Sequence, residues 1–490
     1  MSLPYFFVAD HTIMINYIDK VLCYFESCFS RKAAFRWFVT ITVGLMLRSD
    51  KLGVTSVIRD LALCPDCYLS MLHFFRASSW SLDEIRLRWF SCVREYAPLY
   101  QEGDFHVLVG DGVKQSKEGR RMPGVKKLFQ ESENSAKPKY IHGHMFGGLG
   151  ILAGRIHSWA CIPLGIRLHD GLQGASEWAG ASVSSSSHVV QMVEDAYRAC
   201  EVFGDCLLLL DRYFLTVPAL VKLECLNRGT AARMEIITKA KKSCTAFEKP
   251  APRKPGRGRP PKKGAAVHLK ELFISHKDQF RETKMELYGK QETIRYYSID
   301  LLWGQKLYQE LRFVLVEMGG VQSILASTSL NLDPLAIIRL YSYRFRIECM
   351  FRELKQQTGA FCYHFWSKYM PKLSYYRKKE EPAPLDQVES EKARKRILGA
   401  VRATEMHIAL SCIAMGILQS LSILFMGKIK SNQLRYQRTP SRDRVSEGAL
   451  MQYFRKHFFR LIGQTPELRI TRIIQEQQDE SGIYWDSLAS

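Results

Sequence analysis

Four side chains in the stretch LYSYRFRIECMFRELK (340–355) have the types and spacing to act on a phosphate: Arg344, Glu348, Arg352 and Lys355. On a helix turning about 100° per residue, they and Tyr341 fall within an arc of about 80°. Leu340, Tyr343, Ile347, Met350, Phe351 and Leu354 form the core side, and Glu353 points away from the group. A lone acid among bases suits a carboxylate that binds a cation while its neighbours hold a polyanion. The same spacing fits a surface helix laced by Arg344–Glu348 and Glu348–Arg352 ion pairs. Spacing alone leaves both readings open.

Two aspartates follow short apolar runs, Asp111 after FHVLVG and Asp211 after CLLLL. Each run reads as a buried strand that stops at its acid. Ligands meet mixed sheets at the carboxyl ends of strands. Two carboxylates converging in a cleft repel one another and need a cation, and oxygen-only ligands suit Mg²⁺ or Mn²⁺. Asp-Gly is also a common turn, which is the plainer role for Asp111. Lys114, Lys117, Arg120, Arg121, Lys126 and Lys127 follow the first aspartate closely. They form either a phosphate-binding run or a solvated charged face.

The elements that must position these groups change in texture along the chain. Residues 1–100 carry apolar residues at helical spacing, with a capping box at Ser81 and Glu84. GVTSVIRDLALCPDCYLSMLHFF within them has a helix–turn–helix rhythm, and a plain helical bundle fits as well. Strands are expected at 105–111, in KYIHGHMFGGLGILAG and in WACIPLGIRLHDG, then a helix over 187–204, then the strand ending at Asp211. That order implies a mixed sheet with packed helices. KPAPRKPGRGRPPKKG (249–264) has seven bases and no acid, and its Pro- and Gly-rich spacing makes it a loop. Arg253, Lys254, Arg257, Arg259, Lys262 and Lys263 there form either a DNA-clasping arm or a solvated linker. Alternating segments beyond it read as antiparallel strands. Trp303 among them is either a core residue or a platform for a displaced base.

Composition sets the bounds. The chain has 490 residues, 46% of them hydrophobic, and a formal charge of +21. This is ample for a core and points to an anionic partner, nucleic acid ahead of an acidic membrane. The opening 25 residues have acids within their apolar run and no basic start, unlike a signal peptide. The apolar stretch 406–426 is interrupted by His407, Ser411, Gln419, Ser420 and Ser422, which favours a buried core helix over a membrane span. The 13 cysteines form no regular framework, which suits a reducing compartment. Cys64 and Cys67 make a CxxC whose nearest further ligands, His73 and Cys92, are poorly spaced for zinc.

YSYRFRIECMFRELK also carries the pattern Tyr, two residues, Arg, three residues, Glu, six residues, Lys, here Tyr341, Arg344, Glu348 and Lys355. In this the chain resembles the IS4-type DDE transposases of bacterial insertion sequences. LLLLDRYF looks like that family's second-aspartate segment, and VLVGDGVKQSKEGRRMPGVKKLF like its first. ILASTSLNLDPLAIIRLY resembles the run into its glutamate helix. The resemblance spans about 100 to 430; before that only position and helical character match.

The resemblance implies an α/β fold: an RNase H-like catalytic core interrupted by a β-rich insertion, with an N-terminal helical domain. The division would be helices suited to end recognition (1–100), the first part of the core (101–221), the insertion with its basic loop (222–311), the second part of the core (312–430) and a tail (431–490). It implies two Mg²⁺ or Mn²⁺ ions held by Asp111, Asp211 and Glu348, with Tyr341, Arg344 and Lys355 on the DNA backbone. Arg352 and the bases named above would add phosphate contacts. The implied activity is cleavage at element ends and transfer of 3′-hydroxyls into target DNA, by a homodimer on double-stranded DNA in the bacterial cytoplasm, without a membrane. A nuclease that cuts without joining, or an inactive DNA-binding descendant, would share much of this sequence.

Overall fold

The computed structural model describes residues 6–51, 53–130, 136, 138–155, 158–181, 183–229, 231–251, 261–374, 376, 383–426 and 444–478, with side chains of the first helix described from Thr12 onward. Five helices come first: α1 (Phe6–Cys23), α2 (Lys32–Leu47), α3 (Thr55–Asp60), α4 (Cys67–Phe74) and α5 (Leu82–Tyr96). Then follow β1 (Gln101–Glu102), β2 (Phe105–Ser116), β3 (Lys126–Phe129), β4 (Tyr140–Arg155), β5 (Ser158–Leu168), α6 (His188–Phe203), β6 (Cys206–Leu209), α7 (Val217–Asn227) and β7 (Met234–Ala240). The next stretch holds β8 (Thr245–Phe247), β9 (Ala266–His268), α8 (Leu272–Ser275), β10 (Arg281–Leu287), β11 (Lys290–Trp303), β12 (Gln309–Met318) and β13 (Val321–Ser327). Helices α9 (Pro334–Tyr343), α10 (Arg346–Glu353), α11 (Glu391–Leu424), α12 (Glu447–Gly463) and α13 (Arg469–Gln475) close the series. The fold is thus mixed α/β, with an N-terminal helical region and mixed strand pairing. The chain divides into one unit of Met1–Leu99, Gly112–Ser186 and Glu348–Ser490, and a second of Tyr100–Asp111 and Ser187–Ile347.

In the first unit the antiparallel pair β4–β5 packs against α11, with β3 on the edge of β4. Helix α5 is locked onto this layer by Trp89, whose indole N–H donates to the Pro163 carbonyl at 2.8 Å. Its N-cap is Ser81, whose hydroxyl oxygen accepts the Glu84 N–H. Helix α11 also packs against α2, α5 and α12. It is long and apolar enough to cross a membrane, and 94% of its most apolar window is buried within the protein. Of the polar residues that interrupt it, Ser411 donates to the His407 carbonyl within the helix at 2.9 Å, while the His407 ring meets the Ala360 carbonyl and Ser422 donates to that of Val445. The glycines of β4 have a packing reason. A side chain at Gly148 would strike the Phe351 ring, and one at Gly150 the sulfurs of Cys161 and Met350, so these gaps seat the apolar side of α10.

The second unit is built on three parallel strands. His106–Val109 of β2 pair with Cys206–Leu209 of β6, and these with Met234–Ile237 of β7. The connection from β2 to β6 runs through β3, β4, β5 and α6, and parallel neighbours require such a crossover. Beyond β7 the sheet turns antiparallel through β13, β12 and β11, with β10 and the short β8–β9 pair on β11. Cross-strand partners Asp300 and Arg312 form a two-point ion pair, both contacts 2.9 Å, and Arg295 and Glu317 another at 3.0 Å. Leu301, Leu311, Phe313, Leu315 and Ile324 are buried in one apolar cluster with Leu220 and Phe273, and Trp303 packs against it.

Two expected boundaries differ. Strand β2 does not stop at Asp111 but runs through the Asp-Gly pair to Ser116, and the Lys117 N–H continues the ladder by donating to the His142 carbonyl. The helix expected across 340–355 is two helices. Its break is a tight turn in which the Arg344 N–H bonds to the Tyr341 carbonyl and the Ile347 N–H to that of Arg344, both at 3.1 Å. A π-turn, Leu354–Thr358, then ends α10. The helical hydrogen-bond ladder is therefore interrupted at Arg344 and Phe345, with Arg344 itself still in helical backbone conformation.

Candidate active site

Asp111 and Asp211 occupy equivalent places. Val109 pairs with Leu209, and each aspartate stands two residues further on, so both side chains emerge on the same face of neighbouring parallel strands. Gly110 and Leu210 point the other way: a side chain at Gly110 would strike Met192 of α6 and the Leu210 side chain. The carboxylates thus face away from α6. Asp211 is fixed locally as the cap of a short 3₁₀ turn, Arg212–Phe214. Its Oδ1 accepts the Arg212 N–H at 2.7 Å, and its carbonyl accepts the Thr238 hydroxyl at 2.9 Å.

Helix α9 starts at the Asp333 cap and Pro334, packs against β7, β12 and β13, and supplies the groups that meet these acids. Arg344, at its end, donates from Nη1 to Asp111 Oδ2 at 3.1 Å, with both side chains largely buried. Tyr341 lies within reach of the same charges. Burial pushes its phenol up, Arg344 opposes this, and Asp211, Tyr288 and Asp111 add to it. It therefore remains a hydroxyl donor at neutral pH.

Two further residues join this group that sequence pattern alone did not single out. Tyr288 forms the tip of the β10–β11 hairpin with a φ of 54°, and its phenol is raised by burial, with Arg344 opposing. Lys239 stands two residues beyond Ile237, which pairs with Leu209. It extends the Asp111–Asp211 row by one strand. Its ammonium is lowered by burial, then by Arg212, with Asp211 acting in the opposite direction. The sequence signal was weak: EIITK ends in a charge as VLVGD and LLLLD do, but only its two isoleucines are apolar.

The remaining candidates divide between positions. Glu348, Arg352 and Lys355 belong to the first unit, Asp111, Asp211, Tyr341 and Arg344 to the second. Arg352 is exposed and pairs with Glu353 at 3.2 Å, and the Lys355 ammonium is 5.9 Å from the Phe361 ring centroid. Lys114 donates to the Phe129 carbonyl at 2.7 Å; Arg121 donates to those of Lys368 at 2.7 Å and Met370 at 3.0 Å. Arg120 is exposed. Lys126 pairs with Asp170 at 2.6 Å, and Lys127 lies over the Tyr140 ring.

Lys117, only 4% exposed, donates to the carbonyls of Phe361 and Tyr363 and so holds the chain after α10. Arg253, Lys254, Arg257 and Arg259 lie outside the described residues, while Lys262 is exposed and Lys263 sits over the Phe247 ring at 3.7 Å. Cys64 and Cys67 are free thiols.

The donor chemistry near Asp111 and Asp211 is oxygen-only and fits a hard divalent ion. Among the described residues no group of three or more His, Cys, Asp or Glu side chains is gathered to hold a metal.

The chain is thus a mixed α/β protein with two strand-borne aspartates at one register, the first bonded to Arg344 at the end of α9. A family model described as DDE superfamily endonuclease matches residues 24–295, more than half of the chain, and the chain belongs to that family, that of the IS4-type DDE transposases. The match takes in α2–α8 and both aspartates and ends before Glu348. Membership brings general expectations of DNA as partner and of dependence on a divalent metal. No curated protein and no solved structure matches the chain.

Proposed function

We propose that the protein is a transposase that cuts DNA at the ends of an insertion sequence and joins the resulting 3′-hydroxyls to target DNA. The observation that carries this reading is the placement of Asp111 and Asp211 at one register on adjacent parallel strands, with Arg344 bonded to the first. The strand order supports an RNase H-like core: β2 pairs parallel with β6 along 106–109 and β6 with β7, α6 leads from β5 into β6, and β4 and β5 are antiparallel.

In this reading Asp111, Asp211 and Glu348 hold the divalent ions, Mg²⁺ or Mn²⁺. When bound, these supply Lewis acidity and make water or a 3′-hydroxyl nucleophilic at neutral pH. The chain's own groups orient the DNA. The Arg344 guanidinium exchanges its contact with Asp111 for a phosphate oxygen, and the Tyr341 hydroxyl donates to the backbone. Lys355 and Arg352 carry phosphates further along. These contacts position the strand without reading its sequence, so recognition of the element ends falls to other residues, with the N-terminal helices proposed. Two ends must be held together for joining, hence a homodimer on DNA.

The test is cleavage of duplexes carrying the DNA that flanks the gene, in Mg²⁺ and in Mn²⁺, resolved to the nucleotide. Cutting at discrete ends that leaves 3′-hydroxyls, abolished by chelator, is expected. Full turnover in excess chelator would overturn the metal-dependent mechanism. Supplying pre-cut ends with a plasmid target separates a transposase from a nuclease, since only the former joins them.

A further inference from the structure

Lys239 completes a row. Val109, Leu209 and Ile237 are paired across three parallel strands, and two residues beyond them stand Asp111, Asp211 and Lys239 on one face. Lys239 is half-buried within β7 and pairs across to Leu325 of β13, which fixes its backbone on that side. The charges of Asp211, Arg212 and Arg344 all reach its ammonium. A phosphodiester drawn toward two aspartates is repelled by them, and cations placed beside the acids offset that repulsion. Arg344 stands at the Asp111 end of the row and Lys239 at the other.

We propose that Lys239 is a substrate-binding residue of this site, its ammonium holding a non-bridging oxygen of the phosphodiester that is cut. This rests on the reading of Asp111 and Asp211 as the cleavage site. The lysine acts as a point charge and takes no part in bond making.

The experiment uses the full-length protein and a supercoiled plasmid carrying the DNA that flanks the gene. Wild type in Mg²⁺ maps the cut. Duplexes are then made with either a phosphate or a neutral methylphosphonate at the mapped position, and their affinities are measured without divalent ion. Wild type is expected to favour the charged duplex by roughly 10-fold, K239A to lose most of that preference, the remainder belonging to Arg344, and K239R to keep it. Cleavage by K239A should fall about 10²-fold, with K239R in between. Should K239A melt as an unfolded protein, K239M, which keeps the aliphatic stem, replaces it in both measurements. A folded variant lacking the ammonium that keeps the wild-type preference, or cuts at the wild-type rate, overturns the proposal while leaving the cleavage site standing. A wild type that does not cut, or a D111N protein as active as wild type, overturns the underlying reading and this proposal with it.

Discussion

Arg344 donates to Asp111 across 233 residues of sequence, Nη1 to Oδ2 at 3.1 Å. The side chains are 15% and 24% exposed, so the pair is screened less than a surface bridge and still reaches solvent. Removing the cation leaves Asp111 beside Asp211 without its counter-charge. R344A is expected to lose about 1–2 kcal/mol in urea unfolding, between the costs of exposed and buried pairs. R344K should recover much of that stability and little cleavage, because a lysine lacks the planar fork that suits a phosphate. Equal cleavage by R344K and wild type would remove the phosphate role from Arg344.

The three acids should behave as a set. D111N, D211N and E348Q keep side-chain volume and remove charge, so each is expected to lower strand cleavage on the order of 10³-fold or more while end binding persists in gel-shift titrations. Asparagine at position 211 can still cap the Arg212 N–H, so D211N should fold normally. Glu348 is the most exposed to refutation, since it lies beyond the family match and in the other unit. Normal cleavage by E348Q would exclude it.

What the sequence made legible and what it hid have physical causes. VLV and CLLLL are continuous apolar runs, and both-face burial in parallel strands demands such runs, so they could be read directly. The continuation of β2 through Asp111 was hidden because Asp-Gly is a turn signal. The opposing ladder bond from Lys117 to His142 comes from a segment that local pattern does not connect to it. The break at Arg344 is announced by no Gly or Pro, so an unbroken helical period was the natural reading of 340–355. Lys117 looked like part of a charged face, KQSKEGRR. Its burial is set by carbonyls some 240 residues onward, Phe361 and Tyr363, which no local pattern encodes. Lys239 lacked a continuous apolar run, and the register that places EIITK beside LLLLD was hidden.

Lys117 gives a pH prediction. Burial lowers its ammonium from the ordinary lysine value of 10.5 to about 8. Between these values the unfolded chain binds more protons than the folded one, so stability rises with pH from about 8 to 10.5 and is flat below. The rise amounts to on the order of 3 kcal/mol for this group alone. K117M should lack that rise in thermal melts run across the same window. It should also leave the salt dependence of DNA binding unchanged, because the ammonium faces carbonyls rather than solvent. A reduced salt slope in K117M would restore it to the DNA-binding set.

Residues 252–260 of the basic segment can be replaced without opening the strands around it. The Glu248 N–H donates to the Ala265 carbonyl at 2.9 Å and the Gly264 N–H to that of Glu248 at 2.8 Å, so the segment is closed at its base. Lys249 pairs with Glu310 at 2.6 Å, and Lys263 lies over Phe247. These interactions survive if 252–260 is replaced by a short Gly-Ser bridge. The replacement removes Arg253, Lys254, Arg257 and Arg259 and should leave the melting temperature near that of wild type. If the segment clasps DNA, the slope of log K against log salt should fall by about 0.9 for each phosphate that the protein no longer neutralises, with affinity dropping most at low salt. A solvated linker would leave the slope where it was. The two outcomes separate because neither depends on the cleavage chemistry, so the measurement can be made on D111N protein with uncut DNA.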